Sequence, residues 1–332
     1  MDAGARERTS RSRPAHGRAR LGSGVAMILF DADGLLRVLP TNAVAIVDSV
    51  DLVIRDPRGP IVVRNGVRNG SELTREGLEA LERHGYLSSL FESDVADWYL
   101  DEEGPAEDTD AAVTAVASAA ASLGRPVLDC CCGFGRLSIS LLSQGAEVYG
   151  VDVSERSVAA ATANVEAQGL LEGFRPIVAD MASFGIQQFF GGAISAANSL
   201  RYLGSLGRVS RHIRLMGRSL VEGAVFALEV DTNATPGGAT WSLPQGEMTW
   251  EVLSVDTLAG ESLERVTIRD ASGNTILSEL QHQVSISSDR LLEIASAAGF
   301  TFREAWDKNL KSLSRTDLPV YEGNIWYVFD RR

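Results

Sequence analysis

The chain is nearly without lysine: of its 31 basic residues, only Lys308 and Lys311 are not arginine. Chemistry centred on lysine, such as Schiff-base formation, is thereby all but excluded. Cysteine is as scarce, with three residues standing side by side at Cys130, Cys131 and Cys132. No disulfide framework follows from that, and neighbouring positions of an extended segment point to opposite faces, so the trio cannot close around one metal ion. A reducing cytoplasm is the simplest setting, and no metal is expected. Long apolar runs are missing too: the longest are strand-sized, so no membrane span is expected. The first 26 residues hold arginines but no apolar core of the kind a signal peptide needs. The body of the protein has no net positive charge. The formal net charge is −13, and six arginines against Asp2 and Glu7 give the first 26 residues +4, which leaves −17 on the rest. A body this acidic repels a polyanion, so no nucleic-acid partner is expected.

What is present is globular: 45% hydrophobic and 23% charged residues with a mean hydropathy of zero. A length of 332 residues fits one embellished domain or two. Residues 1–26 mix Arg, Gly, Ser and Ala without periodicity and read as a disordered tail. From 27 to 90, short β-leaning runs are separated by turn pairs such as Asp33-Gly34, and a helix is expected over 74–84. This reads as a small α+β module with an antiparallel sheet. Residues 91–108, acidic around Trp98 and Tyr99, read as a linker or lid.

From Thr109 the pattern alternates helix and strand. Helices are expected at 111–123, 136–143, 154–169, 207–219 and 288–298, with strands at 127–132, 146–152, 175–180, 193–197 and 224–230. Such alternation implies a parallel sheet covered by helices on both faces, with the ligand at the carboxyl ends of the strands. Within 237–286 the texture changes to β-hairpins, read as an antiparallel insertion. His212, set among arginines, reads as a solvated surface residue.

The chemistry is concentrated at Val127-Leu128-Asp129-Cys130-Cys131-Cys132-Gly133-Phe134-Gly135-Arg136, a strand turning through two glycines into a helix. The glycines let the backbone approach a ligand, and the helix start behind them offers free N–H groups. A dinucleotide fingerprint would need Gly or Ala at Ser138, and a P-loop would need GK[ST]; neither is met. Three carboxylates, Asp129, Asp152 and Asp180, end three successive strands and converge on one crevice. The second can accept both hydroxyls of a ribose and the third an adenine amino hydrogen. The plainer reading of a strand-end acid is a turn former or helix cap.

On these residues the chain resembles the class I S-adenosylmethionine-dependent methyltransferases. Asp129, Gly133 and Gly135 match the family's first motif, with Cys131 in place of its first glycine. Ala179-Asp180-Met181, Ala197-Asn198-Ser199-Leu200 and Leu220-Val221-Glu222-Gly223 resemble later family segments, so the likeness runs from about 109 to 332. It implies a doubly wound α/β fold with a mostly parallel, Rossmann-like seven-stranded sheet, and S-adenosyl-L-methionine as cofactor. By that resemblance Asp152 with Val153 binds the ribose and Asp180 with Met181 the adenine. Asp129, Cys131, Gly133, Gly135 and Asn198 would take the methionine side, and Tyr99 is a candidate cap.

The resemblance also implies methyl transfer to a nitrogen or oxygen of a small molecule, with the insertion as a cover over the acceptor. The pocket is expected between that cover, residues 198–203 and residues 92–99. If a proton must leave the acceptor, His282 is the first choice of base, then Tyr202 and Glu229, because imidazole titrates near neutrality. Two alternatives stay open: a peptide or protein acceptor gripped by the N-terminal module, and a non-catalytic cofactor binder. A homodimer is left open as well.

Overall fold

The computed structural model describes residues 109–332 throughout, the backbone of 107–108, five strands between 27 and 73, and Leu90 and Val95. Residues 1–26, the 74–84 segment expected to be helical and Tyr99 lie outside the described residues. The chain divides into two compact units, Met1–Asp31 with Leu35–Leu78 and Ala32–Gly34 with Glu79–Arg332.

In the first unit, β1 (Met27–Phe30), β2 (Leu36–Leu39), β3 (Ser49–Ile54), β4 (Ile61–Arg68) and β5 (Glu72–Leu73) form one sheet in the order β2-β1-β3-β4-β5. It is mixed rather than antiparallel, because β1 and β3 run parallel. The reason is topological. β2 folds back onto one edge of β1, so β3 must take the other edge and arrives there in the same direction as β1.

The second unit opens with α1 (Glu107–Leu123), which starts four residues before the expected Ala111. It buries Ala112, Val113, Val116, Ala117 and Ala120 along one stripe. Then follow β6 (Val127–Cys130), α2 (Arg136–Ser143), β7 (Val148–Asp152), α3 (Glu155–Ala167), β8 (Phe174–Val178) and β9 (Phe190–Ser195). α3 is capped as the sequence indicates, with Ser154 accepting from the N–H of Ser157 and Val158, Ala161 and Val165 turned inward. A 3₁₀ turn at Ser199–Leu203 leads into α4 (Leu206–Ser219), which runs directly into β10 (Leu220–Asp231).

The insertion comprises β11 (Gly237–Leu243), β12 (Gly246–Asp256), β13 (Glu261–Asp270) and β14 (Thr275–Val284), an antiparallel four-stranded sheet in chain order. α5 (Ser288–Ala297), β15 (Phe300–Asp307) and β16 (Asn324–Arg331) complete the unit. The central sheet has seven strands in the order β15-β16-β10-β9-β6-β7-β8, parallel except that β16 opposes both its neighbours. Strand order reverses between β9 and β6, which places a crevice at their carboxyl ends.

Apolar clusters cover both faces of this sheet. One joins Val209, Ile213 and Met216 of α4 and Leu291 and Ile294 of α5 to Phe226, Phe300 and Phe329; the other joins α1, α2 and α3 to Val148, Ile194 and Trp326. Each such side chain contributes about 1.5–3 kcal/mol when fully buried. At one margin, β8 carries Pro176. Ala179 N–H donates to Asp152 C=O, which fixes the phase of pairing and turns the backbone of Pro176 toward the open edge.

Among the described residues, no helix is long and apolar enough to cross a membrane. No group of three His, Cys, Asp or Glu side chains among them is placed to hold a metal.

Candidate cofactor and acceptor site

The turn after β6 is built from unusual backbone. Cys131, Gly133 and Gly135 all have positive φ, at 59°, 51° and 88°. Glycine adopts such values freely, whereas Cys131 does so at a cost of about 1 kcal/mol. The two glycines serve different ends. A Cβ on Gly135 would press on Ala161 of α3 at 3.1 Å, so its role is close helix packing, while a Cβ on Gly133 would meet nothing within 4 Å. Open space lies over Gly133, where a ligand backbone can approach.

Asp152, at the end of β7, faces this turn. Its Oδ2 accepts from Gly133 N–H and its Oδ1 from Ser154 N–H, both at 3.0 Å. A carboxylate in this place is an acceptor that ligand hydroxyls can address. Val153 beside it is 72% exposed. Asp129 lies deeper, at 1% exposure, where Ser138 Oγ donates to Oδ2 at 2.6 Å and Oδ1 has no partner. Burial pushes its pKa up to about 7, against the pull of Ser138 and Arg136. Burial likewise raises the thiols of the cysteine trio, so they are unreactive at neutral pH.

Asp180 lies two residues past β8. It caps its own turn, with Oδ1 accepting from Ala182 N–H at 2.8 Å, and its Oδ2 pairs with Arg208 of α4 at 2.5 Å. The turn-former reading therefore describes its present contacts, while its position remains at the mouth of the crevice. Next to it, Met181 is buried, with its Sδ 3.4 Å from Cys131 Sγ. Its carbonyl bonds to His212. That histidine is a correction: it is fully buried, the opposite of a solvated surface residue. Val209, His212, Ile213 and Met216 share the inward stripe of α4 at helical spacing, a signal masked in the sequence by Arg208, Arg211 and Arg214.

At the end of β9 the chain leaves the strand at Ser195, and Ala197 and Asn198 both adopt left-handed φ, 51° and 58°. This strained elbow is pinned by side chains from two other strands. Glu229 of β10 accepts from Ala197 N–H at 2.8 Å and from Asn324 Nδ2 at 3.0 Å; Asn198 donates to Asn324 Oδ1 at 2.8 Å and accepts from Asp231 N–H. Glu229, a candidate base, is thus engaged in holding backbone. Backbone strain of this kind collects at functional sites.

Three residues on, Arg201 is 4% exposed and ties the elbow to the insertion. It donates to Val284 C=O, to Ser262 Oγ and to the buried carboxylate of Glu264, which also accepts from Trp250 Nε1 at 2.6 Å. Asp231 Oδ2 stands 3.9 Å from the same guanidinium. Burial outweighs that charge and raises the Asp231 pKa. Ser262, Glu264, Gln281 and Gln283 are buried on one face of the insertion, and Leu90 and Val95 pack with Val266 and Ile268 on that face. His282, paired across with Leu263, stands half-buried on the opposite face by the two-residue alternation of β14. Tyr202 shares the 3₁₀ turn of Arg201 and is half-buried. The structure therefore gathers Asp129, Cys131, Gly133, Gly135, Asp152, Asp180, Met181 and Asn198 along the strand ends, and does not bring His282 to the face that carries Glu264.

A family model described as a methyltransferase domain matches residues 127–223. That segment is matched as a methyltransferase domain. Solved structures agree in fold: the CcbJ methyltransferase from Streptomyces caelestis is 20% identical, with a TM-score of 0.58 over 69% of this chain and 97% of that one. An S-adenosylmethionine-dependent methyltransferase from Clostridium acetobutylicum is 14% identical, with a TM-score of 0.57 over 71% of this chain and 96% of that one. The amino pentose methyltransferase CalS10 from Micromonospora echinaspora is 18% identical, with a TM-score of 0.53 over 72% of this chain and 97% of that one. A search of the curated proteins finds no match. CalS10 was solved with S-adenosylmethionine bound, and the open space over Gly133 beside Asp152 is where a ligand could approach in this chain.

Proposed function

We propose that this methyltransferase moves the methyl group of S-adenosylmethionine to a nitrogen or oxygen of a small molecule in specialised metabolism, with amino sugars the first acceptor class to test. Two structures of the same fold support that class: CalS10 is described as an amino pentose methyltransferase and KedS8 as a sugar N-methyltransferase. The observation that carries the reading is the Asp152 carboxylate, held by Gly133 N–H and Ser154 N–H at the end of β7 beside the open glycine turn. Asp152 with Val153 holds the ribose, Asp180 with Met181 the adenine, and Asp129, Cys131, Gly133, Gly135 and Asn198 the methionine side.

When bound, the cofactor supplies a sulfonium whose methyl carbon is already electrophilic. The protein's share is then to position the acceptor and exclude water. The pinned elbow at Ala197–Asn198 fixes the acceptor side, and Arg201 holds the insertion above it as a cover. Residues 27–90 form an accessory module and 109–332 the catalytic domain. His282 and Tyr202 are the base candidates, with Tyr202 favoured by its place on the elbow's own turn.

The test is incubation with S-adenosylmethionine and a panel of free amino sugars, sugar alcohols and short peptides, followed by mass spectrometry. Methylated amino sugar or alcohol supports the reading. A methylated peptide transfers it to the polypeptide alternative, and binding without any product selects a non-catalytic binder.

A further inference from the structure

Nothing in the reaction chemistry uses His212, yet among the described residues it is the histidine buried completely beside the proposed cofactor crevice. It is 0% exposed, and its Nδ1 lies 3.0 Å from the carbonyl oxygen of Met181. A carbonyl only accepts, so Nδ1 carries the proton and Nε2 is left bare, without a partner among the described residues. The Phe226 ring meets the imidazole edge-on, at 6.3 Å and 68°. A neutral ring in one tautomer, locked by aromatic packing, is a fixed donor to one backbone oxygen.

That donor acts together with a second. Arg208 stands one helical turn before His212 on α4 and reaches Asp180 Oδ2 at 2.5 Å. α4 therefore grips the Asp180–Met181 turn at two consecutive residues, one bond to a side chain and one to the main chain. From the other side, Cys131 Sγ touches Met181 Sδ at 3.4 Å. Met181 is held between the glycine turn and α4, and its carbonyl is the only main-chain group there to which α4 donates among the described contacts.

We infer that His212 is a positioning residue for the cofactor's adenine, acting through the Met181 carbonyl. The inference rests on the proposed reading in which Asp180 and Met181 receive the adenine. Losing the bond would leave Arg208 as the remaining donor from α4 to the turn, and the Met181 carbonyl free to shift from the pose that adenine needs. Since a bond to a buried main-chain oxygen is at stake, the dissociation constant should rise by about tenfold.

The experiment is calorimetric titration of S-adenosylhomocysteine and of methylthioadenosine, which has the adenine but not the amino-acid end. His212→Leu removes the donor at similar volume, and His212→Asn places an amide N–H near the position of Nδ1. The expected result is binding about tenfold weaker for His212→Leu on both probes, with recovery to near wild type in His212→Asn. Equal losses in the two variants, or no loss in either, overturn the inference. Should His212→Leu fail to fold, Arg208→Met, on the half-exposed side of the turn, tests the same grip and should weaken both probes about threefold; unchanged affinity overturns it. Asp180→Asn separates the two levels: if it weakens binding while His212→Leu does not, only the inference fails, and if neither does, the adenine reading fails with it.

Discussion

The two halves of the crevice are assembled over very different distances along the chain. On the cofactor side, Gly133 and Asp152 are 19 residues apart, Ser138 and Asp129 are 9, and Arg208 and Asp180 are 28. On the acceptor side, Arg201 and Glu264 are 63 apart, Asn324 and Glu229 are 95, and Asn198 and Asn324 are 126. The first half is made by successive strand–turn–helix units, each delivering one residue at a strand end. The second is made by side chains that meet only once the insertion and the final strand have come home. Local repetition thus builds the proposed cofactor side, and long-range pairing the proposed acceptor side.

The comparison can be broken first at Arg201. Arg201→Leu leaves Glu264 buried without its cation, and the expected loss is about 3–5 kcal/mol of stability, read from urea unfolding. Co-substitution with Glu264→Gln should restore a large part of it. If Arg201→Leu alone costs under about 1 kcal/mol, the long-range half is held by packing and not by this pair.

Asp129 offers a test by pH on the cofactor side. Its folded pKa of about 7 lies above the ordinary 3.8, so between those values the folded chain keeps a proton that the unfolded chain has released. Stability should therefore fall as pH rises through that window, by on the order of 2–4 kcal/mol relative to Asp129→Asn. Parallel pH profiles of the two proteins would refute the burial argument. His212 works in the opposite sense. Burial lowers its pKa below 6.5, so its contribution is present above that value and lost on acidification below it.

Cofactor affinity sharpens the same half. Asp152→Ala removes the acceptor proposed for two ribose hydroxyls, and calorimetry should show a loss of about 2–3 kcal/mol, a factor of roughly 30–200 in Kd. An unchanged Kd in the folded variant would move the ribose elsewhere. The smallest expected effect is at the glycine turn. Cys131→Gly relieves a left-handed φ of 59° and loses one sulfur contact, so the net change should be a gain of no more than about 1 kcal/mol in thermal unfolding. Marked destabilisation would mean that the Met181 contact outweighs the strain.

The same contrast explains what could be read before the structure. Alternation of strands and helices, the cap at Ser154 and the acids at strand ends are local signals, and the elements they mark are present within a few residues. Glu264 and Arg201 carry no such signal, because nothing in a polar strand residue tells which helix turn will face it across 63 positions. At the start of β11, Gly237 and Gly238 interrupt the apolar alternation by which a strand is read. The parallel β1–β3 pair could not be told from an antiparallel one, since short apolar runs carry no direction. His212 was legible in principle: Val209, Ile213 and Met216 draw the stripe on which it lies, but flanking arginines weigh more heavily in a linear reading.

Pro176 carries a consequence for molecules in company rather than alone. An unpaired strand margin invites a second polypeptide to extend the sheet, and β8 is such a margin among the described residues. The proline turns its missing N–H outward, so an incoming strand finds a gap in the row of donors, and Arg175 beside it adds charge. Crowded copies of this protein are thereby denied continuous backbone pairing along that flank of the sheet.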